Sequence, residues 1–392
     1  MLNQLSFKNG MLTGRQCAAS IAENLRVFWQ TAAEAGISRT EIERQAGKTA
    51  DAFSDARYEE IRGMAKGAGV SFKELLAYNL FQPQVLPEGC TVFWAAGKAS
   101  STGATILGKN SDKGGDEGFT GKNCHNLHEI NVVSYFENED GSHIIGVSAA
   151  GTTGLKMGLN SYGVAAATNF GYSAKVKKMT LSVEAKFAGD RAQIARDALA
   201  KKTALEAAQY TAARLMERPM ASSGMFEFAD ADSVYVVENV YEYVAVQKVV
   251  DAVDSRSNYF VTLGHLNEPG NASCYCRYHR SQKLLAKVDG HVTVEDLKNI
   301  SMDHHDGTGS VGICRHTEGL DSSTQSSVVI ELNRERPEQS RIHVALGKPC
   351  NAWRYEDGHT VITMDMKREE IPEAFLQGEP YKKYGTADPL LQ

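Results

Sequence analysis

Apolar and polar positions change their period along this chain, and the change falls at one place. Over the first ninety residues apolar positions recur at helical spacing, as in Ile21, Leu25, Phe28 and Trp29. Ser38-x-x-Glu41 and Ser71-x-x-Glu74 have the form of capping boxes opening two further helices. No convincing strand is read there. After Cys90, short β-branched or alternating runs predict strands over 91–94, 105–107, 130–136 and 143–147, with Asp140-Gly141 placed for a hairpin turn between the last two. A second helical block runs from about 191 to 216, with an internal break near Lys202-Thr203. Strand-like segments return over 233–237, 241–246 and 258–263. Helices are then expected over roughly 277–286 and 294–302, the second opened by Thr293-x-x-Asp296, and strands over 327–332, 341–346 and 360–365. Grouped strands, then helices, then grouped strands predict α+β layers rather than a parallel βαβ fold.

The length of 392 residues allows one large domain or two. Pro87-Glu88-Gly89 is the one punctuated boundary with a change of texture across it, so the chain divides into a helical pro-segment, 1–89, and a sheet-bearing part, 90–392. The 42% apolar and 23% charged composition is that of a soluble globular protein, and no run approaches the roughly 18 apolar residues of a membrane span. The first residues lack a basic and then apolar secretory signal, which makes a cytoplasmic location the expectation. Seven cysteines, at 17, 90, 124, 274, 276, 314 and 350, are odd in number and scattered, which argues for reduced thiols rather than a disulfide framework. A net charge of -6 offers no footprint for nucleic acid, and neither nucleic acid nor membrane is expected as a partner.

Cys90 stands at the junction between the helical leader and the first strand. A thiol there can attack the preceding carbonyl, shift the acyl group from N to S, and let water release a new amino terminus. A preceding Gly imposes no Cβ and tolerates the strained backbone such an attack needs. The freed α-amine, with an ordinary pKa near about 8, can then activate the same thiol. Taken alone, a cysteine before a strand is usually an inert core residue.

Context raises the signal. Glu88-Gly89-Cys90-Thr91, followed by Gly108-Lys109-Asn110-Ser111-Asp112, resembles the processing site and Asn-x-Asp motif of the acyl-coenzyme A:6-aminopenicillanic acid acyltransferase family, whose layout the more distant choloylglycine hydrolases share. Gly158-Leu159-Asn160-Ser161-Tyr162-Gly163-Val164 and Thr168-Asn169-Phe170-Gly171 resemble a Gly-x-Asn-x-x-Gly strand and an Asn-Phe element of both families. Ser257-Asn258-Tyr259-Phe260 resembles their second Asn-bearing strand, and Ile313-Cys314-Arg315-His316 and Gly347-Lys348-Pro349-Cys350 resemble two later elements. The resemblance runs from before Cys90 to about Cys350, and its strength is the order of the motifs.

The resemblance implies an αββα sandwich of the N-terminal-nucleophile (Ntn) hydrolases, cut by itself between Gly89 and Cys90 from an inactive zymogen. The pro-segment would stay associated as a small subunit, and homo-oligomerisation stays open. It implies Cys90 as nucleophile and Asp112 as the group holding the liberated amine or thiol, with Asn110 in support. Asn169 and Asn258 would be oxyanion and amine contacts, since a side-chain amide donates without titrating. Asn267 competes with Asn258 for the second role. Arg315 would be a permanent cation behind the cysteine. Lys109 stands where choloylglycine hydrolases carry Arg, which speaks against a bile-salt substrate. Cleavage of a linear amide in a small molecule is the first expectation, and acyl transfer from an acyl-coenzyme A thioester to an amine the second.

A protein of another class, metal-binding or a non-catalytic interaction module, is the rival. Cys274-x-Cys276 with His279, Asp303-His304-His305-Asp306, and Cys314-x-His316 gather soft and borderline ligands in one half of the chain. Cys-x-Cys puts its thiols on opposite faces of a strand, and none of these runs has the Cys-x-x-Cys spacing of common zinc sites. No metal and no other cofactor is therefore expected.

Overall fold

The structure, a computed structural model, describes residues 2–34, 36–49, 53–85, 88–113, 129–138, 140–173, 191–217, 223–304, 311–316 and 323–385. Pro87, Cys124, His305 and Asp306, singled out above, lie outside these residues.

The helical period of the leader is realised as α1 (Leu2–Gln16), α2 (Ala18–Glu34), α3 (Arg39–Thr49), α4 (Asp55–Ala68) and α5 (Phe72–Val85). In α2 the spacing of Ile21, Leu25 and Phe28 puts all three on one buried stripe. Helices α1 and α4 meet backbone to backbone. A Cβ on Gly10 or Gly14 would lie 2.0 or 2.2 Å from the carbonyl oxygens of Glu60 or Met64, a separation only Gly permits. The leader is also fastened to the sheet-bearing part. Asn24 Nδ2 donates to the carbonyls of Ile130 and Ala150, both at 3.0 Å, while its Oδ1 accepts the N–H of Ile130. Glu60 and Arg57 pair with Arg196 and Asp197. Ile21, Phe28 and Tyr78 bury themselves against Val132 and Ala150.

The rest of the chain builds two antiparallel sheets. The first contains β1 (Glu88–Ala95), β2 (Ile106–Lys113), β10 (Val253–Arg256), β11 (Ser323–Glu331), β12 (Arg341–Leu346) and β13 (His359–Thr363), in the order β10-β1-β2-β11-β12-β13. The second follows chain order through β3 (Asn131–Glu137), β4 (His143–Ala149), β5 (Met157–Asn160), β6 (Ala165–Phe170), β7 (Ser223–Ala229), β8 (Ser233–Val240) and β9 (Tyr243–Val250). Alternation sends every second side chain of each strand to the same face. Val92, Trp94, Leu107 and Val328 thus meet Val133, Ile145, Leu159 and Val236 between the sheets. On the outer face of the first sheet, Phe93, Ile106 and Val329 meet Leu285 of α8 (Ala272–Leu285) and Leu297 and Ile300 of α9 (Val294–Ser301). On the outer face of the second, Phe136, Ala166 and Phe226 meet Ile194 of α6 (Arg191–Ala198) and Leu215 of α7 (Ala204–Glu217). The layers are α, β, β, α, as expected.

The break in the second helical block falls where the sequence places it, because Thr203 Oγ1 caps α7 by accepting the N–H of Glu206 at 3.1 Å. The Thr293–Asp296 capping box forms in full. The strand expected over 258–263 does not form. Pairing stops at Arg256, and the backbone beyond it is taken by side chains. Glu238 accepts the N–H groups of Val261 and Leu263 at 3.0 and 2.8 Å, and Asn267 both accepts from and donates to the backbone of Phe260. Strand β7 is not among the expected strands. It is buried on both faces, so its sequence lacks a clean alternation. No helix among the described residues is long and apolar enough to cross a membrane.

Candidate active site

Because Val92 and Trp94 point between the sheets, Glu88 and Cys90 share that face, while Gly89 and Thr91 face the α8 and α9 layer. Cys90 is buried, 4% exposed, and lies opposite Ser111 of β2. On the other side β1 pairs with β10 only as far as Val92 and Arg256. The same register carried two residues further sets Cys90 opposite Asn258, and there a side chain replaces the strand. The N–H of Cys90 donates to Asn258 Oδ1 at 3.2 Å, and Asn258 Nδ2 donates to the carbonyl of Phe170 at 2.7 Å. Arg277, on α8, donates from Nη1 to the Cys90 carbonyl at 2.6 Å and to Thr91 Oγ1 at 2.9 Å, and from Nη2 to Asn258 Oδ1 at 2.6 Å.

Over the Gly89–Cys90 peptide, on the helix face, sit Asp112 and Arg315. Gly89 lies opposite Asp112 in the β1–β2 register. A Cβ at Gly89 would come within 2.8 Å of Arg315 Nη1 and 3.3 Å of Asp112 Oδ2. The missing side chain therefore gives these two groups their approach to the junction. Asp112 Oδ1 accepts from Thr324 Oγ1 at 2.7 Å. Its Oδ2 is 3.7 Å from Arg315 Nη1, too far for a hydrogen bond, and neither Oδ2 nor Arg315 Nε makes one. A register shift in β11 between Thr324 and Ser326 re-aims Thr324 at this spot. Burial, with Arg277 nearby, lowers the Arg315 pKa from its ordinary value. Asn110 Nδ2 donates to the carbonyls of Ser301 and Ile313, tying β2 to the segment that carries Arg315.

Between the sheets, beyond Cys90, lies a chain of buried ions. Glu88 pairs with Lys113 at 2.8 Å and with Arg191 at 3.0 Å. Glu129 pairs with Lys113 at 3.4 Å and Lys156 at 2.8 Å, and accepts from Tyr78 and Gln82. Burial pushes both carboxyls up, but the surrounding cations outweigh it and hold Glu88 and Glu129 below the ordinary carboxylate value. Lys109, on the same face as Cys90, donates to the carbonyl of Thr168 at 2.5 Å and to Asn169 Oδ1 at 3.2 Å. Asn169 gives its own amide hydrogens to the carbonyls of Arg256 and Ser257. Glu227 has neither carboxyl oxygen hydrogen-bonded, and burial, opposed by Lys109 and Arg256, raises it to about 8.

Of the residues singled out from the sequence, Asn258 touches Cys90 directly, while Asp112 and Arg315 converge on Gly89. Asn169 stands one step away, through Lys109 and the 256–257 backbone. The Asn267 side chain binds the backbone of Phe260, not Cys90. Arg277 was missed. Its signal was a charge at the spacing of the buried stripe Cys274, Arg277, Ser281, Leu285 of α8, a position where an unpaired cation would be costly.

No family model matches the chain, and no curated protein matches it in sequence. Among solved structures it is similar to an N-acylethanolamine-hydrolyzing acid amidase orthologue from Caenorhabditis elegans, at 16% identity and a TM-score of 0.44, over 62% of this chain and 92% of that one. It is similar to a conjugated bile acid hydrolase from Clostridium perfringens, at 12% identity and a TM-score of 0.43, over 71% and 93%. It is also similar to a penicillin V acylase from Agrobacterium tumefaciens, at 11% identity and a TM-score of 0.39, over 66% and 83%. Likenesses this distant do not bear on chemistry, which rests on the geometry around Cys90.

Proposed function

We propose that the chain is a self-processing cysteine amidohydrolase of Ntn type. The Cys90 thiol adds to the carbonyl carbon of Gly89, the C–N bond breaks, and the leaving nitrogen takes a proton. Water then cleaves the thioester, giving a Gly89 carboxylate and a free Cys90 amine and thiol. In turnover the amine accepts the thiol proton, and the sulfur attacks a substrate amide to give an acyl-enzyme that water resolves.

The observation that carries this reading is the grip on Cys90. Asn258 Oδ1 accepts its N–H in the uncut chain, and the same oxygen can accept from the amine that cleavage creates. Arg277 fixes the carbonyl on the other side. Asp112 and Arg315 bring one negative and one positive charge to the bond that breaks. An oxyanion role for Asn169 requires it to release the carbonyls of Arg256 and Ser257, whereas positioning Lys109 does not. The contacts of Asn24, Asn79, Arg57 and Glu60 would keep 1–89 bound as a small subunit after the cut.

Intact mass of the purified chain beside Cys90→Ala, under denaturing conditions, tests the reading. Two fragments meeting at Gly89/Cys90 in the wild type and one uncut chain in the variant are expected. An uncut wild type removes the proposal. Thiol release from an acyl-coenzyme A, with and without an amine acceptor, separates hydrolysis from acyl transfer.

A further inference from the structure

Four side chains outside the Cys90 site converge on one point. His304 follows α9, Cys314 and His316 lie on the segment 311–316, and Cys350 lies in α10 (Pro349–Ala352). One ligating atom from each lies within 4.8 Å of all the others. Cys314, His316 and Cys350 are buried and His304 is half-buried. His316 Nε2 is 3.1 Å from His304 Nε2, 3.6 Å from Cys314 Sγ and 3.3 Å from Cys350 Sγ.

Hydrogen bonding does not account for this arrangement. A ring nitrogen has one lone pair or one hydrogen, so Nε2 of His316 cannot serve a second nitrogen and two sulfurs together. A central cation can satisfy all four. A tetrahedral zinc ion with bonds of about 2.3 Å to sulfur and about 2.1 Å to nitrogen has ligand–ligand edges of roughly 3.4–3.8 Å. Three separations here already lie close to that range. Two thiolates and two imidazoles are the donor set that favours zinc over hard cations.

We propose that His304, Cys314, His316 and Cys350 form a structural Cys2His2 zinc site. Four protein donors leave no open coordination position, so the ion would fasten segments rather than bind substrate. All four residues stand in runs noted above, but in three separate segments of which only Cys314 and His316 are near neighbours, so spacing along the chain does not join them. The protein braces the site. The carbonyl of Asp303 accepts the N–H groups of Ile313 and Cys314 at 3.1 and 2.9 Å, and the Asp303 carboxylate pairs with Arg280 at 2.6 Å. Arg315, held between two ligands, would thereby be fixed over Gly89. Only that last consequence rests on the proposed function, and the metal content itself does not.

The test is metal analysis of protein purified without a histidine tag or chelator, repeated after incubation with zinc chloride and dialysis. About one zinc per chain is expected in the wild type and less than about a tenth in Cys314→Ser and Cys350→Ser, with Cys276→Ser, outside the cluster, unchanged. Wild-type protein loaded with cobalt should show the strong visible absorption of a tetrahedral thiolate complex, which covers the case in which the serine variants do not fold. Wild type without zinc after loading, a Cys314–Cys350 disulfide in the protein as isolated, or zinc retained by both serine variants would each overturn the site. Because metal content is read whether or not the chain is cut, failure here and failure of self-processing are distinguishable.

Discussion

Two charged clusters flank the Gly89–Cys90 bond, one on each face of β1, and they are built differently. Between the sheets, Glu88, Lys113, Glu129, Lys156 and Arg191 form a network with contacts of 2.8–3.4 Å, to which Tyr78 and Gln82 add hydrogen bonds. On the helix face, Asp112 and Arg315 stand 3.7 Å apart and Asp112 Oδ2 accepts no hydrogen bond, whereas both carboxylate oxygens of Glu88 and of Glu129 accept one. Carboxylates satisfied in this way hold geometry, and a removed member leaves its partners buried and uncompensated. An incompletely satisfied pair stores electrostatic potential that a reacting group can use. Under the proposed function, the first cluster would fasten leader and sheets around Cys90, and the second would serve the chemistry of the junction.

Three substitutions would break or sharpen that contrast. Glu129→Ala should be the most damaging to the fold, destabilising by about 3–5 kcal/mol in denaturant unfolding of the uncut Cys90→Ala background, because Lys113 and Lys156 lose a shared buried counter-ion. The folded-state value of Glu129 lies below the ordinary one, so the stability it lends is present above that ordinary value and should be lost as pH falls through the acid range. Asp112→Asn should do the reverse. It should slow self-cleavage about 100-fold, read by mass against time, while unfolding shifts by less than about 1 kcal/mol. A comparable loss of stability would make Asp112 structural and dissolve the contrast. Gly89→Ala should place a methyl against Arg315 and Asp112, slowing cleavage by about tenfold, a cost of about 1–3 kcal/mol in overpacking.

The smallest effect concerns Glu227, which belongs to neither cluster. Its folded-state value, about 8, lies above the ordinary 4.5. The stability carried by its neutral form is complete below about 4.5 and is lost as pH rises through about 8. Relative to Glu227→Gln, the wild type should lose about 1.4 kcal/mol between pH 7 and pH 9 in urea unfolding. Parallel pH profiles for the two proteins would show that Glu227 is ionised throughout.

Much of the architecture was legible. The helical period before Cys90 and the alternation after it are local properties, and α2, β1, α9 and the break between α6 and α7 fall where the pattern put them. The segment 258–263 was misread because its apolar residues suit a strand while its backbone partners come from Glu238, twenty-odd residues earlier, and from Asn267. Within the site, Cys90, Gly89 and Asn258 were visible as motif residues, but Arg277 was hidden in a helix whose spacing reads as ordinary burial.

By itself the sequence determined the α+β layering, the change from helices to strands next to Cys90 and the placing of Gly before Cys at that change, because each depends on neighbours along the chain. Only the tertiary structure decided that Asn258 rather than Asn267 meets the Cys90 amide, that Asp112 and Arg315 reach the Gly89–Cys90 bond from the opposite face to the thiol, and that His304, Cys314, His316 and Cys350 share one point. Those facts depend on where a strand stops pairing and how far loops from distant segments reach, and no periodicity along the chain encodes either distance.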